Sequence, residues 1–357
     1  GGFAHVLKAE NAYKIDAVFV DHTAASAEIA REFALKEGRF DAFQRLIQRM
    51  VPEQEMEKLP QISDEKIEEL VSAVQIGYEK SSEIRYIASL NFVFSRRDVR
   101  RYFRSLGVGF AESFSKPLLV LPIYSERKKK FLWEAQNPWR KAWEGKVDNY
   151  SLVPLIIPKA DIALSRIITA EQALAADESK IEEACRYFGA SGIFLLSAEP
   201  VKNSSKSETL LQLTVSRIRT GFSGFTEMRS ISAPRGSSLD SILARATKNI
   251  VKDLFENWKK QNVIRFEDRS LISAMVYYDG LSQWVTIRKK LALIGSINQI
   301  EINYIAKKKA KIKIHFFGSP RQLGVTFAQQ NLDLAREVEN WGVTLVGSPK
   351  QSPAMEN

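Results

Sequence analysis

An almost uninterrupted apolar run at residues 117–124 (PLLVLPIY) constrains the fold more than any other feature of the chain. A strand with no alternating polar residues is covered on both faces, as in sheets that lie between layers of helices. Two further apolar segments follow at 153–158 and 192–198, with helical patterns before and between them. The order strand, helix, strand, helix, strand predicts pairing that is at least partly parallel.

The N-terminal residues predict a second unit. A strand is expected at 13–21 (YKIDAVFVD), in which Ile15, Ala17 and Phe19 share one face and alternate with Asp16, Val18 and Val20 on the other. A long helix is expected over 24–50, with its apolar positions at Ile29, Phe33, Phe40, Phe43, Leu46 and Ile47. A short helix at 64–70, a strand at 84–94 and a helix at 96–106 complete this unit.

The remaining elements follow from the same patterns. A helix is expected around 131–145, a hairpin at 209–218 and 222–232, and a long amphipathic helix up to Gln261. The last segment has the order β-α-β-β-α-β, which is that of a split-βαβ, ferredoxin-like module. The predicted fold class is therefore α+β or α/β, with two or three mixed αβ units. The expected boundaries are 1–112, 113–265 and 266–348, followed by a disordered tail at 349–357.

No motif for catalysis, metal binding or cofactor binding stands out. The chain has three histidines and one cysteine, and none of them lies at metal-ligand spacing from a second such residue. Phosphate-binding loops and nucleophile elbows are absent from the sequence. Cys185 lies among apolar residues of a predicted helix, where a thiol is a small buried hydrophobe. We therefore predict no catalytic, cofactor-binding or metal-ligating residues, and no cofactor.

The formal net charge of +10 favours anionic partners. The basic segments 127–130 and 307–311 lie in or beside predicted loops, and the arginines of 96–104 lie on one helix. Sequence-specific nucleic-acid readers show a recognisable module or aromatic side chains beside the charges, and this pattern is not seen here. Two interpretations stay open, a solvated basic surface and weak contact with an anionic membrane surface, and no specific nucleic acid is expected.

Three tryptophans crowd into one short segment, LWEAQNPWRKAWEG. Asn137 and Pro138 predict the start of a helix, which places Trp139 and Trp143 on one face. One interpretation is a core-packing face. The other is an anchor for a partner protein, because tryptophan and arginine are enriched at the centres of protein interfaces. The candidate partner-binding residues are then Trp133, Trp139, Arg140 and Trp143.

The segments NPWRKAW (137–143), VPL (153–155) and YFGA (187–190) resemble an uncharacterised, domain-of-unknown-function family of exported proteobacterial proteins. The resemblance extends over most of the chain. It implies export by a signal peptide that is cleaved before or near Gly1, and a periplasmic or envelope-associated location. The family has no established activity, so the resemblance assigns no catalytic residue.

A looser resemblance concerns envelope assembly domains. Residues 117–124 and 176–193 are similar to the second half of the fold found in the N-terminal domain of TolB, the curli-export lipoprotein and the lipoprotein activators of peptidoglycan synthases. This resemblance implies that the protein works by binding other envelope proteins.

From these observations we expect an exported, non-catalytic protein-binding or scaffold module. Two alternatives stay open: a basic protein that binds an anionic envelope surface or nucleic acid, and, least favoured, a hydrolase-type enzyme. The sequence does not fix the oligomeric state.

Overall fold

The computed structural model of the protein describes residues 11–145, 147, 150–202, 208–219, 222–234, 236–266 and 268–347. It contains three sheets with helices packed against them, which confirms the predicted mixed αβ class. Contacts group the chain into two compact units, Gly1–Phe114 with Trp258–Asn357, and Ser115–Asn257. The three sequence-predicted boundaries stay a prediction, and the predicted disordered tail lies outside the described residues.

The first unit begins with a small antiparallel sheet and its helices. The elements are β1 (Lys14–Thr23), α1 (Ala27–Met50), α2 (Asp64–Leu70), β2 (Val71–Ser81), β3 (Arg85–Phe94) and α3 (Arg96–Leu106). The strands run in the order β1-β3-β2, and α1 packs on β1 and β3. The side chains of Ser26, Ser63 and Ser95 accept hydrogen bonds from backbone N–H groups in the first turns of α1, α2 and α3.

The predicted alternation in β1 is wrong beyond its third residue, because the strand contains a β-bulge. Ala17 has a φ of 56°, and its backbone N–H donates to the side-chain oxygen of Asn91 at 2.9 Å. The extra residue shifts the pairing between Ile15 and Val18 and moves later side chains to the opposite face. As a result Val18 is buried together with Ile15, whereas Phe19 is 62% exposed.

The strand β2 was not predicted from the sequence. It lies at the edge of the sheet, and among the described strands its one partner is β3. Almost all of its side chains are exposed, including Val74, Ile76 and Tyr78. A strand covered on neither face leaves no alternation of apolar and polar residues to recognise.

The second unit contains a six-stranded sheet. Its elements are β4 (Leu118–Glu126), β5 (Lys129–Phe131), α4 (Pro138–Trp143), β6 (Leu155–Ile156), α5 (Ala170–Leu174), α6 (Glu178–Phe188), β7 (Gly192–Lys202), β8 (Glu208–Arg219), β9 (Phe222–Pro234) and all but the last turn of α7 (Leu239–Gln261). The strand β4 is buried throughout its apolar run and pairs in parallel with β6 and β7, as predicted. The strands β7, β8 and β9 are antiparallel.

Two elements of this unit are shorter in the structure than predicted. The helix expected around 131–145 is confined to α4, because residues 129–131 instead pair with the end of β4 as strand β5. The strand expected at 153–158 is reduced to the two residues of β6.

The chain returns to the first unit with the predicted split-βαβ arrangement. Its elements are β10 (Arg269–Tyr277), α8 (Leu281–Ala292), β11 (Ile297–Ile305), β12 (Lys309–Phe317), α9 (Pro320–Gln329), β13 (Leu332–Arg336) and β14 (Trp341–Leu345). The strand order is β11-β12-β10-β14-β13, with β10 and β14 parallel. The one strand of this arrangement that was not predicted is β13, which adds an edge beside β14.

Candidate functional site

The helix α1 presents small residues to the sheet and large apolar residues to solvent. Its sheet-facing positions recur every four residues, and all of them are fully or almost fully buried: Ala30, Ala34, Gly38 and Ala42. Its outward apolar residues are strongly exposed, with Ile29 at 41%, Phe33 at 50% and Phe40 at 48%. An amphipathic helix ordinarily places its large apolar residues against the core. The first half of α1 does the opposite.

Close packing on the sheet explains this arrangement. A Cβ atom built at Gly38 would lie 3.1 Å from Phe92 and 3.1 Å from Val20, so the space between helix and sheet is already filled. Only small side chains fit along this line, and the large ones project outward. In the second half of α1, by contrast, Phe43, Leu46 and Ile47 are buried. Of the apolar positions that predicted this helix, Phe43, Leu46 and Ile47 are therefore buried, whereas Ile29, Phe33 and Phe40 face solvent.

The exposed aromatic residues open onto a groove of about 510 Å³, hereafter the outer α1 groove. The groove is lined by residues of β1, α1, the segment before α2, and α2 itself: His22, Phe33, Lys36, Glu37, Phe40, Ile62, Asp64, Glu65 and Ile67. The imidazole of His22 stacks on Phe33 with ring centroids 5.3 Å apart. The groove thus has an aromatic floor within one unit of the protein.

Carboxylates predominate among the charged groups of the groove, with Glu37, Asp64 and Glu65 against Lys36. Arg39 lies 3.4 Å from Asp64 in an ion pair, and Glu37 lies 3.7 Å from the imidazole of His22. The groove is therefore acidic, although the chain as a whole carries a formal charge of +10.

The four sequence-predicted candidates lie in the interior of the second unit. Trp139 and Trp143 are 0% exposed, and their rings meet edge to face at 5.6 Å. The indole N–H of Trp139 donates to the carbonyl of Leu196, and that of Trp133 donates to the carbonyl of Ile168. Core packing accounts for these tryptophans, and their role in binding a partner stays a prediction.

Arg140 is buried beside them and is 1% exposed. Its guanidinium lies 4.8 Å from the ring centroid of Trp133 and donates to the backbone carbonyls of Leu132 and Pro158. Burial lowers the pKa of Arg140 to about 10. These contacts fix the chain around α4.

A buried polar cluster in the first unit joins Tyr13, Arg100 and Glu112. The Tyr13 hydroxyl donates to Glu112, and Arg100 donates to both oxygens of the same carboxylate at 2.7 and 3.1 Å. Burial raises the pKa of Tyr13 well above its usual value, and the Glu112 charge raises it further. Because Tyr13 is fully buried, we interpret this cluster as structural.

Within the described residues, no group of three histidine, cysteine, aspartate or glutamate side chains could hold a metal ion. Cys185 is buried, and burial raises the pKa of its thiol, so the neutral form predominates near neutral pH. None of the helices in the described part of the chain is both long and apolar enough to cross a membrane.

The helical spacing of the apolar residues predicted α1 but did not show which of them face solvent, so the outer α1 groove was not predicted from the sequence. A signal was present in the spacing Ala30, Ala34, Gly38, Ala42, a line of small residues on one side of a helix. Such a line indicates close packing and leaves the neighbouring large residues to face outward.

Comparisons with known proteins add a loose likeness only. No family model matches the chain, and no curated protein matches it. Among solved structures, the lipoprotein GNA1162 from Neisseria meningitidis is similar over 39% of this chain and 96% of that chain. The sequence identity is 10% and the TM-score is 0.25. No family is shown for this chain, and the resemblance to envelope families stays a prediction.

Proposed function

We propose that this protein is a non-catalytic binding module of the bacterial cell envelope and that it recruits another protein through the outer α1 groove. The observation that carries the proposal is the reversed packing of α1. The envelope location and the export of the chain rest on the family resemblance.

Free energy favours covering these side chains. Burial of apolar surface stabilises a complex by about 25 cal/mol per Å². A half-exposed phenylalanine still has apolar surface in contact with water, and a partner that covers it would gain this free energy. Large apolar residues clustered beside a polar rim are typical of protein-binding sites.

Site-specific photocrosslinking tests the proposal. A photoreactive phenylalanine analogue replaces Phe40 in one variant and Tyr187 in a matched control, since Tyr187 is 64% exposed in the second unit. We expect a discrete protein adduct from position 40 in envelope preparations. The adduct should be absent with the control and lost when Phe33→Glu is added. Identical adducts from both positions would refute the proposal.

A second candidate function, contact with an anionic surface, is favoured by one observation on β12. Lys309, Lys311 and Lys313 alternate with the buried residues of that strand and so lie in a row on its other face. None of these lysines forms an ion pair with another described residue at the salt-bridge distance. Phosphate groups would relieve the mutual repulsion of such a row.

Cosedimentation with anionic phospholipid vesicles tests this candidate. The expected result is binding that weakens with salt and is lost in Lys311→Glu/Lys313→Glu. The control is Lys128→Glu/Lys130→Glu, which changes the charge by the same amount at the turn between β4 and β5 and in β5 itself. Equal vesicle binding by both double variants would show that the lysines of β12 are not the binding site.

A further inference from the structure

We infer that the occupant of the outer α1 groove is an amphipathic helix of another protein, whose apolar stripe is flanked by lysine or arginine residues. This inference rests on the proposed function and specifies its partner. It is drawn from the shape of the groove, the backbone chemistry of its floor and the charges at its rim.

The shape suits a helix. Phe33 and Phe40, which line the groove, and Ile29, which lies beyond its lining, follow one side of α1 over about three turns, or roughly 16 Å. Their spacings of four and seven residues are those of a helix–helix contact stripe. Residues Ile62 and Ile67 bound the same groove, so an inserted side chain would meet apolar surface on more than one side.

Backbone chemistry disfavours an extended peptide. An extended segment needs partners for its N–H and C=O groups once water is excluded, and added strands obtain them from a sheet edge. The floor of this groove is mainly α1, whose own N–H and C=O groups are paired within the helix. The edge strand β1 contributes His22 to the lining, near the end of the strand. A helical partner satisfies its own backbone and needs only side-chain contacts.

Charge selects the kind of helix. The groove lining contributes three carboxylates and one lysine, and Arg39 engages only Asp64 among them. Three further exposed charged residues lie on the same stretch of α1, the acidic Glu28 and Glu32 and the basic Arg31, so the balance stays acidic. A second copy of α1 would bring carboxylates together, and an anionic bilayer would be repelled. Cationic side chains beside an apolar stripe complement the groove instead.

A designed peptide pair tests the inference directly. The probe is a fluorescently labelled leucine–lysine peptide of about 18 residues with helical spacing of the leucines. The matched probe has the same leucines and glutamate at every lysine position. We expect saturable binding of the lysine peptide, measured by fluorescence anisotropy, and at least about tenfold weaker binding of the glutamate peptide.

Two variants locate the binding. Glu37→Lys/Glu65→Lys and Phe33→Ala/Phe40→Ala should each weaken the lysine peptide by at least about tenfold. The controls are Glu171→Lys/Glu178→Lys, which makes the same charge change at exposed positions of the second unit, and Tyr187→Ala. Circular dichroism checks that each variant is folded. If Phe33→Ala/Phe40→Ala does not fold, Glu37→Lys/Glu65→Lys still tests whether the peptide binds at the groove.

The outcomes separate the inference from the function on which it rests. Equal binding of both peptides, or unchanged binding by Glu37→Lys/Glu65→Lys, overturns the inference, even if the photocrosslinked adduct at position 40 still supports a protein partner. Loss of vesicle binding in Phe33→Ala/Phe40→Ala, without any peptide binding, would assign the groove to lipid and overturn both.

Discussion

At the residue scale, one ion pair of the first unit packs closely against the backbone of a glycine. The guanidinium of Arg100 lies against the backbone of Gly295 while it pairs with Glu112. A Cβ atom built at Gly295 would lie 1.3 Å from Nη2 of Arg100 and 1.9 Å from Oε1 of Glu112. A Cβ atom at residue 295 therefore requires the ends of the Arg100 and Glu112 side chains to move.

We predict that Gly295→Ala lowers the free energy of unfolding by about 3 kcal/mol, because Arg100 must leave a carboxylate whose side chain is only 9% exposed. The control is Gly324→Ala in α9, where no heavy atom lies within 4 Å of the new Cβ. That substitution should stabilise the helix by up to about 1 kcal/mol. Urea unfolding measures both. Equal effects of the two substitutions would contradict this account of Gly295.

A second residue-scale prediction concerns pH. Partial burial, the hydrogen bond to Glu337 and the charge of that carboxylate raise the pKa of Tyr277 to about 12 from a usual value of 10. The unfolded chain releases this proton near pH 10 and the folded chain keeps it, so the free energy of unfolding falls as pH rises from 10 to 12.

Ultraviolet titration of phenolate formation checks this sign. The wild type should show a tyrosine that ionises near pH 12, and Tyr277→Phe should lack it. The prediction fails if the difference between the two titrations lies near pH 10. Tyr187→Phe is a suitable comparison, because this side chain is 64% exposed and lies in the second unit.

At the element scale, α1 packs small residues against the sheet and leaves large apolar residues exposed on its other side. Its small residues allow a close approach to the sheet, and its large residues remain available outside. This division makes opposite predictions for neighbouring positions.

We predict that Ala34→Leu destabilises the protein by about 1–3 kcal/mol, because the added side chain has no space between helix and sheet. Phe33→Ala, one residue away, should change the free energy of unfolding by less than about 1 kcal/mol, because half of the ring is already exposed. Chemical denaturation of the free protein compares them. A larger cost for Phe33→Ala would mean that the ring belongs to the core.

The short helix α4 gives a contrasting prediction. Trp139→Ala should cost about 3–5 kcal/mol, because it leaves a cavity and removes the donor to Leu196. Tyr187→Ala should cost far less, since that side chain is 64% exposed. If Trp139→Ala left stability unchanged and abolished partner binding, the anchor interpretation of this tryptophan would replace the core interpretation.

At the scale of the whole molecule, charge and compartment are the properties at issue. The net charge of +10 coexists with the acidic outer α1 groove, so the average charge does not describe the proposed binding site.

The envelope location rests on the family resemblance. We predict that cells expressing the complete gene release the processed protein with the periplasmic fraction, detected by immunoblot beside cytoplasmic and periplasmic marker proteins. An unprocessed chain found in the cytoplasm would contradict the proposed location.

Local patterns in the sequence determined much of the architecture. Helix caps such as Ser95 depend on residues three positions away, and the burial pattern of β3 repeats every two residues. The buried strand β4 and the β-α-β-β-α-β order of the C-terminal module were likewise predicted, because each element follows from the apolar pattern of its own residues. These features need no knowledge of distant neighbours.

Only the tertiary structure decided which faces are covered. The bulge at Ala17 reversed the exposure of Phe19, β2 paired without a covered face, and the tight fit at Gly38 turned Phe33 outward. The tryptophans of α4 could have been core or surface, and packing placed them inside. A sequence gives the apolar character of each residue, but whether that residue meets protein or water depends on the space left by segments far away in the chain.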